Sequence, residues 1–118
     1  MPAAHAFDDS ERYYGTLFHE LAHSTGHESR LDRPFGKSFG DDLYSREELI
    51  AEMTSAMLAG VCGFADSTYS ASASYLDSWI RALKGDSRLV VDAATRAQKA
   101  ADWILGEHPA IAQVDQAA

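Results

Sequence analysis

The sequence is poor in the features that mark secreted, membrane-spanning or nucleic-acid-binding proteins. It has a single cysteine, Cys62, which excludes an intrachain disulfide and a thiolate-cage zinc site. No apolar stretch approaches the roughly 20 residues that cross a bilayer, and no signal peptide opens the chain. Ten basic residues against 18 acidic ones give a net charge of −8, which argues against direct nucleic-acid binding by this segment. These absences favour a cytoplasmic protein with no membrane partner.

The composition, 46% hydrophobic and 24% charged, is typical of one globular domain. Apolar residues recur at three- and four-residue spacing in four segments, which predicts a mainly α fold of about four helices with at most a minor strand element. We expect a domain over residues 1–106 and a loose tail over 107–118.

Capping signals give approximate bounds for these helices. Asp9 or Ser10 begins the first, at about residues 11–25, and a capping box from Ser45 to Glu48 begins the second. A small-residue connector over 60–74 leads to a third helix, and Asp86 begins the fourth, which ends at Gly106. Residues 28–44 are expected to form an irregular surface loop.

The first helix contains the sequence HELAH, with His19 and His23 one turn apart. Their side chains lie about 40° apart on the helical wheel, so both imidazoles project from one face and can share a cation. Glu20 lies beside that face. This HExxH pattern is typical of zinc metallopeptidases, in which the glutamate takes a proton from a metal-bound water that attacks a peptide carbonyl.

A catalytic zinc site needs a third protein ligand and leaves a fourth position open. The third histidine of the metzincin pattern is absent, because that position is Ser29. His27 follows Gly26 outside the helix and is expected to be a loop residue. The second helix offers Glu47, Glu48 and Glu52, of which the last two share a face.

One of that pair would bind metal while the other orients a ligand histidine. Glu52 is the first choice for the ligand, because Glu48 already has a role in the capping box, and Glu48 is the alternative. The arginines of the loop, Arg30 and Arg33, are expected to be solvated charges rather than binding groups.

The chain resembles the metallopeptidase domain of the ArdC-type antirestriction proteins over nearly its whole length, to about Gly106. The resemblance rests on four segments: YGTLFHELAHSTGHESRLDR (14–33), YSREELIAEM (44–53), SYLDSWIRALK (74–84) and AATRAQKAADWIL (93–105). It implies a zincin-like fold of the gluzincin type, with His19 and His23 as ligands, Glu20 as general base and a glutamate of EELIAE completing the site.

The HExxH pattern predicts a peptide or protein substrate and Zn²⁺ as cofactor, although a nitrogen and oxygen donor set accepts Mn²⁺ as well. ArdC-type proteins carry a separate single-stranded-DNA-binding domain upstream, so we expect a fragment or a short form here. The alternative function is a non-catalytic, vestigial metal-binding module that serves as an interaction domain. The intact Glu20 favours the enzyme, because a purely structural metal site needs no base.

Overall fold

The computed structural model describes residues 1–36 and 42–107. Within these ranges a short 3-10 helix at Ala4–Ala6 precedes four α-helices, and no strand is found. The helices are α1 (Ser10–Ser24), α2 (Asp42–Cys62), α3 (Ala65–Ala82) and α4 (Ser87–Leu105). The prediction of a mainly α fold of four helices is therefore confirmed. None of these helices has the length and apolarity that crossing a bilayer requires.

Helix α2 lies at the centre and packs against the other three helices. Its Leu49 and Leu58 are the largest apolar side chains buried almost completely, and a leucine buried in this way contributes about 2 kcal/mol. Leu49 belongs to a cluster of buried side chains from α2, from α4 and from the turn between α3 and α4: Leu49, Ile50, Leu83, Ala93 and Ala97.

Helix α4 approaches α2 closely because alanines line the contact. Ala93, Ala97 and Ala100 are fully buried. At the edge of the contact, Arg46 of α2 donates to Asp92 of α4 at 2.6 Å. Small side chains and one ion pair thus fix α4 against the helix that carries the candidate carboxylates.

Capping residues begin and end these helices largely as the sequence predicts. Asp9 accepts a hydrogen bond from Arg12 N at the start of α1, and Asp86 accepts one from Arg88 N at the start of α4. Gly106 ends α4 with a φ of 78°, a left-handed conformation that glycine adopts without strain.

Two boundary predictions are wrong. Ser45 is not an N-cap: it is buried inside α2, which has already begun at Asp42. The connector predicted over 60–74 is helical from Ala65 onward. Alanine is the best helix former and serine is only moderately poorer, so a run of both forms a helix without a regular apolar stripe. Residues 37–41 of the predicted loop and 108–118 of the predicted tail lie outside the described residues.

Helices α1 and α2 pack antiparallel, which decides which side chains meet. Ser55 donates to the carbonyl oxygen of Gly15 at 2.8 Å, Glu52 lies beside His19, and Glu47 lies beside His23. Residues nearer the C-terminus of α2 therefore contact residues nearer the N-terminus of α1. The histidines therefore face the one part of α2 that carries three glutamates.

Candidate metal centre

The two histidines of α1 lie together, as their spacing predicts. Their rings are 4.7 Å apart between centroids at an angle of 78°, and the Nε2 atoms are 3.1 Å apart. The side chains of His19 and His23 are 17% and 24% exposed, so both are half-buried but reachable.

Glu48 faces both Nε2 atoms. Its Oε2 lies 3.1 Å from His19 Nε2 and its Oε1 lies 3.2 Å from His23 Nε2. In a tetrahedral zinc site with bonds of 2.0–2.1 Å, two ligand atoms are about 3.3 Å apart. Among the residues that the structure describes, His19, His23 and Glu48 form a group whose ligand atoms could hold one metal ion.

The other nitrogen of each ring faces a different carboxylate. His23 Nδ1 lies 2.9 Å from Glu47 Oε2, and His19 Nδ1 lies 2.7 Å from Glu52 Oε1. His19 Nδ1 and Glu52 Oε1 are within ion-pair distance, but the angles between their side chains are not those of a hydrogen bond. Glu52, the first choice from the sequence for the third ligand, thus lies on the side of the His19 ring away from Nε2.

Arg33 is the residue that sequence reasoning missed, and Glu47 was offered there without a role of its own. Arg33 is buried, not solvated: its side chain is 3% exposed and binds both oxygens of Glu47. The charge balance could have indicated a buried cation, although not which residue supplies it, because the three glutamates of α2 face only two imidazoles. Three carboxylates and one guanidinium leave two negative charges, which a divalent cation balances.

The pKa values of the cluster reflect the same excess of negative charge. Burial lowers the pKa of His19, but Glu48 and Glu52 outweigh burial and raise it from 6.5 to about 10. Burial likewise lowers the pKa of His23, while Glu47 and Glu48 raise it to about 9. Hydrogen bonds from both histidines lower the pKa of Glu48 to about 2. Without a metal ion, protons supply the positive charge that the carboxylates attract.

The predicted base, Glu20, is exposed. Within the described part of the chain its carboxylate has no hydrogen bond or ion pair, so no neighbour holds it. His27 is also exposed and pairs with Ser29 through Nδ1 at 2.8 Å, as expected for a loop residue.

A cleft of about 590 Å³ opens beside the cluster. His19, Glu48 and Glu52 line it from α1 and α2, and Tyr75 and Trp79 line it from α3. Such a cleft is large enough for several residues of a peptide, and it combines polar groups with aromatic surface.

Known proteins resemble this chain over most of its length. Residues 1–96 match a protein family described as zincin-like metallopeptidases. A crystal structure of the antirestriction protein ArdC from plasmid R388, in its Mn(II)-bound form, superposes with a TM-score of 0.70 at 47% identity. The match covers 91% of this chain and 40% of that one. The resemblance to ArdC-type proteins is thus confirmed.

Two curated relatives are longer proteins as well. The uncharacterized protein y4eC of Sinorhizobium fredii is 38% identical over 104 residues, which is 88% of this chain and 34% of y4eC. DNA primase TraC of Escherichia coli is 41% identical over 105 residues, which is 89% of this chain and 7% of TraC. The chain therefore spans about a third or less of the length of these two relatives.

Proposed function

Because the chain belongs to the zincin-like metallopeptidase family, we propose that it is a metal-dependent peptidase domain. The observation that carries the proposal is the convergence of three side chains beside a cleft: His19 Nε2 and His23 Nε2 are 3.1 Å apart, and the two oxygens of Glu48 lie 3.1 Å from the first and 3.2 Å from the second. Three protein donors leave one position of a tetrahedral site open, as catalysis requires.

We assign the third ligand to Glu48 and an orienting role to Glu52. Glu48 is the carboxylate that faces the Nε2 atoms of both histidines, whereas Glu52 faces Nδ1 of His19. A carboxylate at ion-pair distance from the far nitrogen of a ligand imidazole favours one orientation of the ring and raises its basicity.

A divalent ion held there would act as a Lewis acid that lowers the pKa of water and polarises a carbonyl. Glu20 takes the proton from the attacking water and passes it to the leaving amine. Because no residue in the described ranges holds its carboxylate, Glu20 is able to rotate toward the reacting atoms. The peptide lies in the cleft, where Tyr75 and Trp79 contact its side chains.

Zinc fits the donor set of two imidazoles and one carboxylate. Manganese is a second candidate, because the similar ArdC structure is Mn(II)-bound and hard oxygen donors suit Mn²⁺.

Metal analysis combined with peptide cleavage tests the proposal. The purified protein should hold about one metal ion per chain, and His23→Ala should lose it. Glu20→Gln should keep the ion and lose hydrolysis of a defined peptide mixture read by mass spectrometry. Glu28→Gln, which removes another exposed glutamate, serves as the control. Hydrolysis that persists in Glu20→Gln would refute the mechanism.

The exposure of Glu20 favours one alternative, a metal-binding interaction module without catalysis. In that case His23→Ala would impair partner binding while Glu20→Gln would have no effect on any function of the protein.

We further propose that the domain works in an antirestriction protein in the cytoplasm, on a peptide or protein and without direct contact with nucleic acid. The likeness to ArdC and the single cysteine support this placement. Transfer of an unmodified plasmid into a restricting host, with and without the gene, tests the role. Equal transfer efficiency in both cases would refute it.

A further inference from the structure

Arg33 lies behind the histidine cluster and connects α1 to α2. Its guanidinium donates to Glu47 Oε1 at 2.8 Å and to Glu47 Oε2 at 3.0 Å. It also donates to the carbonyl oxygen of Ala22 and to Thr25 Oγ1, both at 2.8 Å. These contacts fix the guanidinium against the residues on either side of His23.

Glu47 passes this constraint to the imidazole. The residue is 4% exposed, and its Oε2 lies 2.9 Å from His23 Nδ1. Burial of a carboxylate is costly unless it is paired, and Arg33 pairs with both oxygens of Glu47. When His23 donates from Nδ1 to this carboxylate, its Nε2 lone pair faces His19 and Glu48.

The segment after α1 is folded so that Arg33 can reach this position. Arg33 N donates to Gly26 O at 3.0 Å and Leu31 N donates to Thr25 O at 2.9 Å. A Cβ at Gly26 would lie 3.0 Å from the guanidinium, so this glycine allows the close approach. Glu52, which faces His19, has no guanidinium partner among the described residues.

We propose that Arg33, acting through Glu47, is a positioning residue for His23: it holds the imidazole with its proton on Nδ1 and presents Nε2 to the metal ion. We call Arg33, Glu47 and His23 the positioning chain. The inference rests on the proposed metal site and deepens it, because it needs metal binding but not peptide hydrolysis.

Zinc affinity, measured by competition with a chromophoric chelator, tests the positioning chain. Arg33→Met should weaken zinc binding about 10- to 100-fold, the range found when partners of metal ligands are removed. Arg33→Lys should recover part of the loss, since lysine keeps the charge but cannot bind both carboxylate oxygens as a fork. Arg30→Met is the matched control, because Arg30 lies in the same segment and donates to Ser24 O without touching Glu47. The zinc affinity of the Arg30→Met variant should stay within about twofold of the unaltered protein.

A second variant, Glu47→Gln, keeps the shape of the side chain and tests the positioning chain if Arg33→Met fails to fold. It should lose affinity to a similar extent. In the zinc-loaded protein, the Nδ1 proton of His23 should give a slowly exchanging NMR signal that both variants weaken and Arg30→Met retains.

A purely structural arginine would lower thermal stability and leave both readouts unchanged. Unchanged affinity and an unchanged His23 signal in Arg33→Met and Glu47→Gln would therefore overturn the inference. Zinc binding by the unaltered protein without any hydrolysis would refute the peptidase proposal alone. Absence of zinc binding would refute both.

Discussion

Replacing Glu48 and Glu52 by glutamine, one at a time, separates a metal ligand from an orienting carboxylate. Both changes keep the volume and remove one negative charge from the same cluster. A general loss of charge therefore affects both variants alike, and any difference between them reports direct ligation. Glu48 lies within 3.2 Å of both Nε2 atoms, whereas Glu52 lies on the opposite side of the His19 ring.

The expected magnitudes follow from that geometry. A structural zinc site is worth about 10–16 kcal/mol in all, so one of its ligands contributes about 3 kcal/mol, or on the order of 100-fold in affinity. Glu48→Gln should therefore weaken zinc binding at least about 100-fold. Glu52→Gln should weaken it by about 10-fold, the lower end of the range for groups that only orient a ligand.

Chelator competition gives the two affinities, and cobalt substitution gives the coordination. The visible spectrum of the cobalt-loaded protein should change in Glu48→Gln and persist in Glu52→Gln. The reverse order, with the larger affinity loss and the spectral change in Glu52→Gln, would show that Glu52 is the ligand and that the reasoning from Nε2 distances fails.

Four further outcomes are expected. Gly26→Ala should destabilise the fold by about 1–3 kcal/mol in chemical denaturation, because its Cβ would lie 2.5 Å from Phe35 Cζ and 3.0 Å from Arg33 Nη2, so that the ring and the buried guanidinium would have to shift. Gly60→Ala, in open space within α2, should instead stabilise by about 0.5–1 kcal/mol. In metal-free protein, His19 and His23 bind their protons more tightly in the folded state, because their pKa values are raised from 6.5 to about 10 and about 9. This stabilisation is complete below pH 6.5 and is lost as the pH rises through about 9 to 10, so the melting temperature should fall between pH 6.5 and about 10. Exposed Tyr75→Ala should raise KM for peptides without lowering the melting temperature, and an unchanged KM would remove it from the substrate cleft.

The parts of the site that could be predicted from sequence lie within single helices. The spacing of His19 and His23 fixes their common face through the helical period alone. Glu48 and Glu52 share a face of α2 for the same reason. Which of them meets Nε2 depends on the rotation and register of α2 against α1, and no local pattern encodes that rotation.

Arg33 could not be placed for a related reason. It lies in an irregular segment, where a charged residue is most often solvated. Its burial depends on Glu47 from another helix and on space left by Gly26. The prediction of a capping box at Ser45 was wrong because serine and glutamate three residues apart also occur inside a helix. In this helix the carboxylate of that glutamate, Glu48, faces the histidines instead.

The position of the site between α1 and α2 predicts how metal binding affects stability. Helix α1 packs chiefly on α2 and touches the rest of the core at few points. In metal-free protein its amides should therefore exchange faster than those of the α2–α4 core. An ion held by both helices stabilises the closed state by about 2.7 kcal/mol at 100 times its Kd, which slows exchange in α1 about 100-fold.

Amides that exchange by fraying at the ends of α4 should not respond, because their opening leaves the site intact. Glu48→Gln should abolish most of the zinc-dependent slowing at the same zinc concentration. Equal amide exchange rates in α1 and in the core of metal-free protein would contradict this account. Helix α1 would then be held to α2 by packing alone, and the metal ion would not be what joins the two helices.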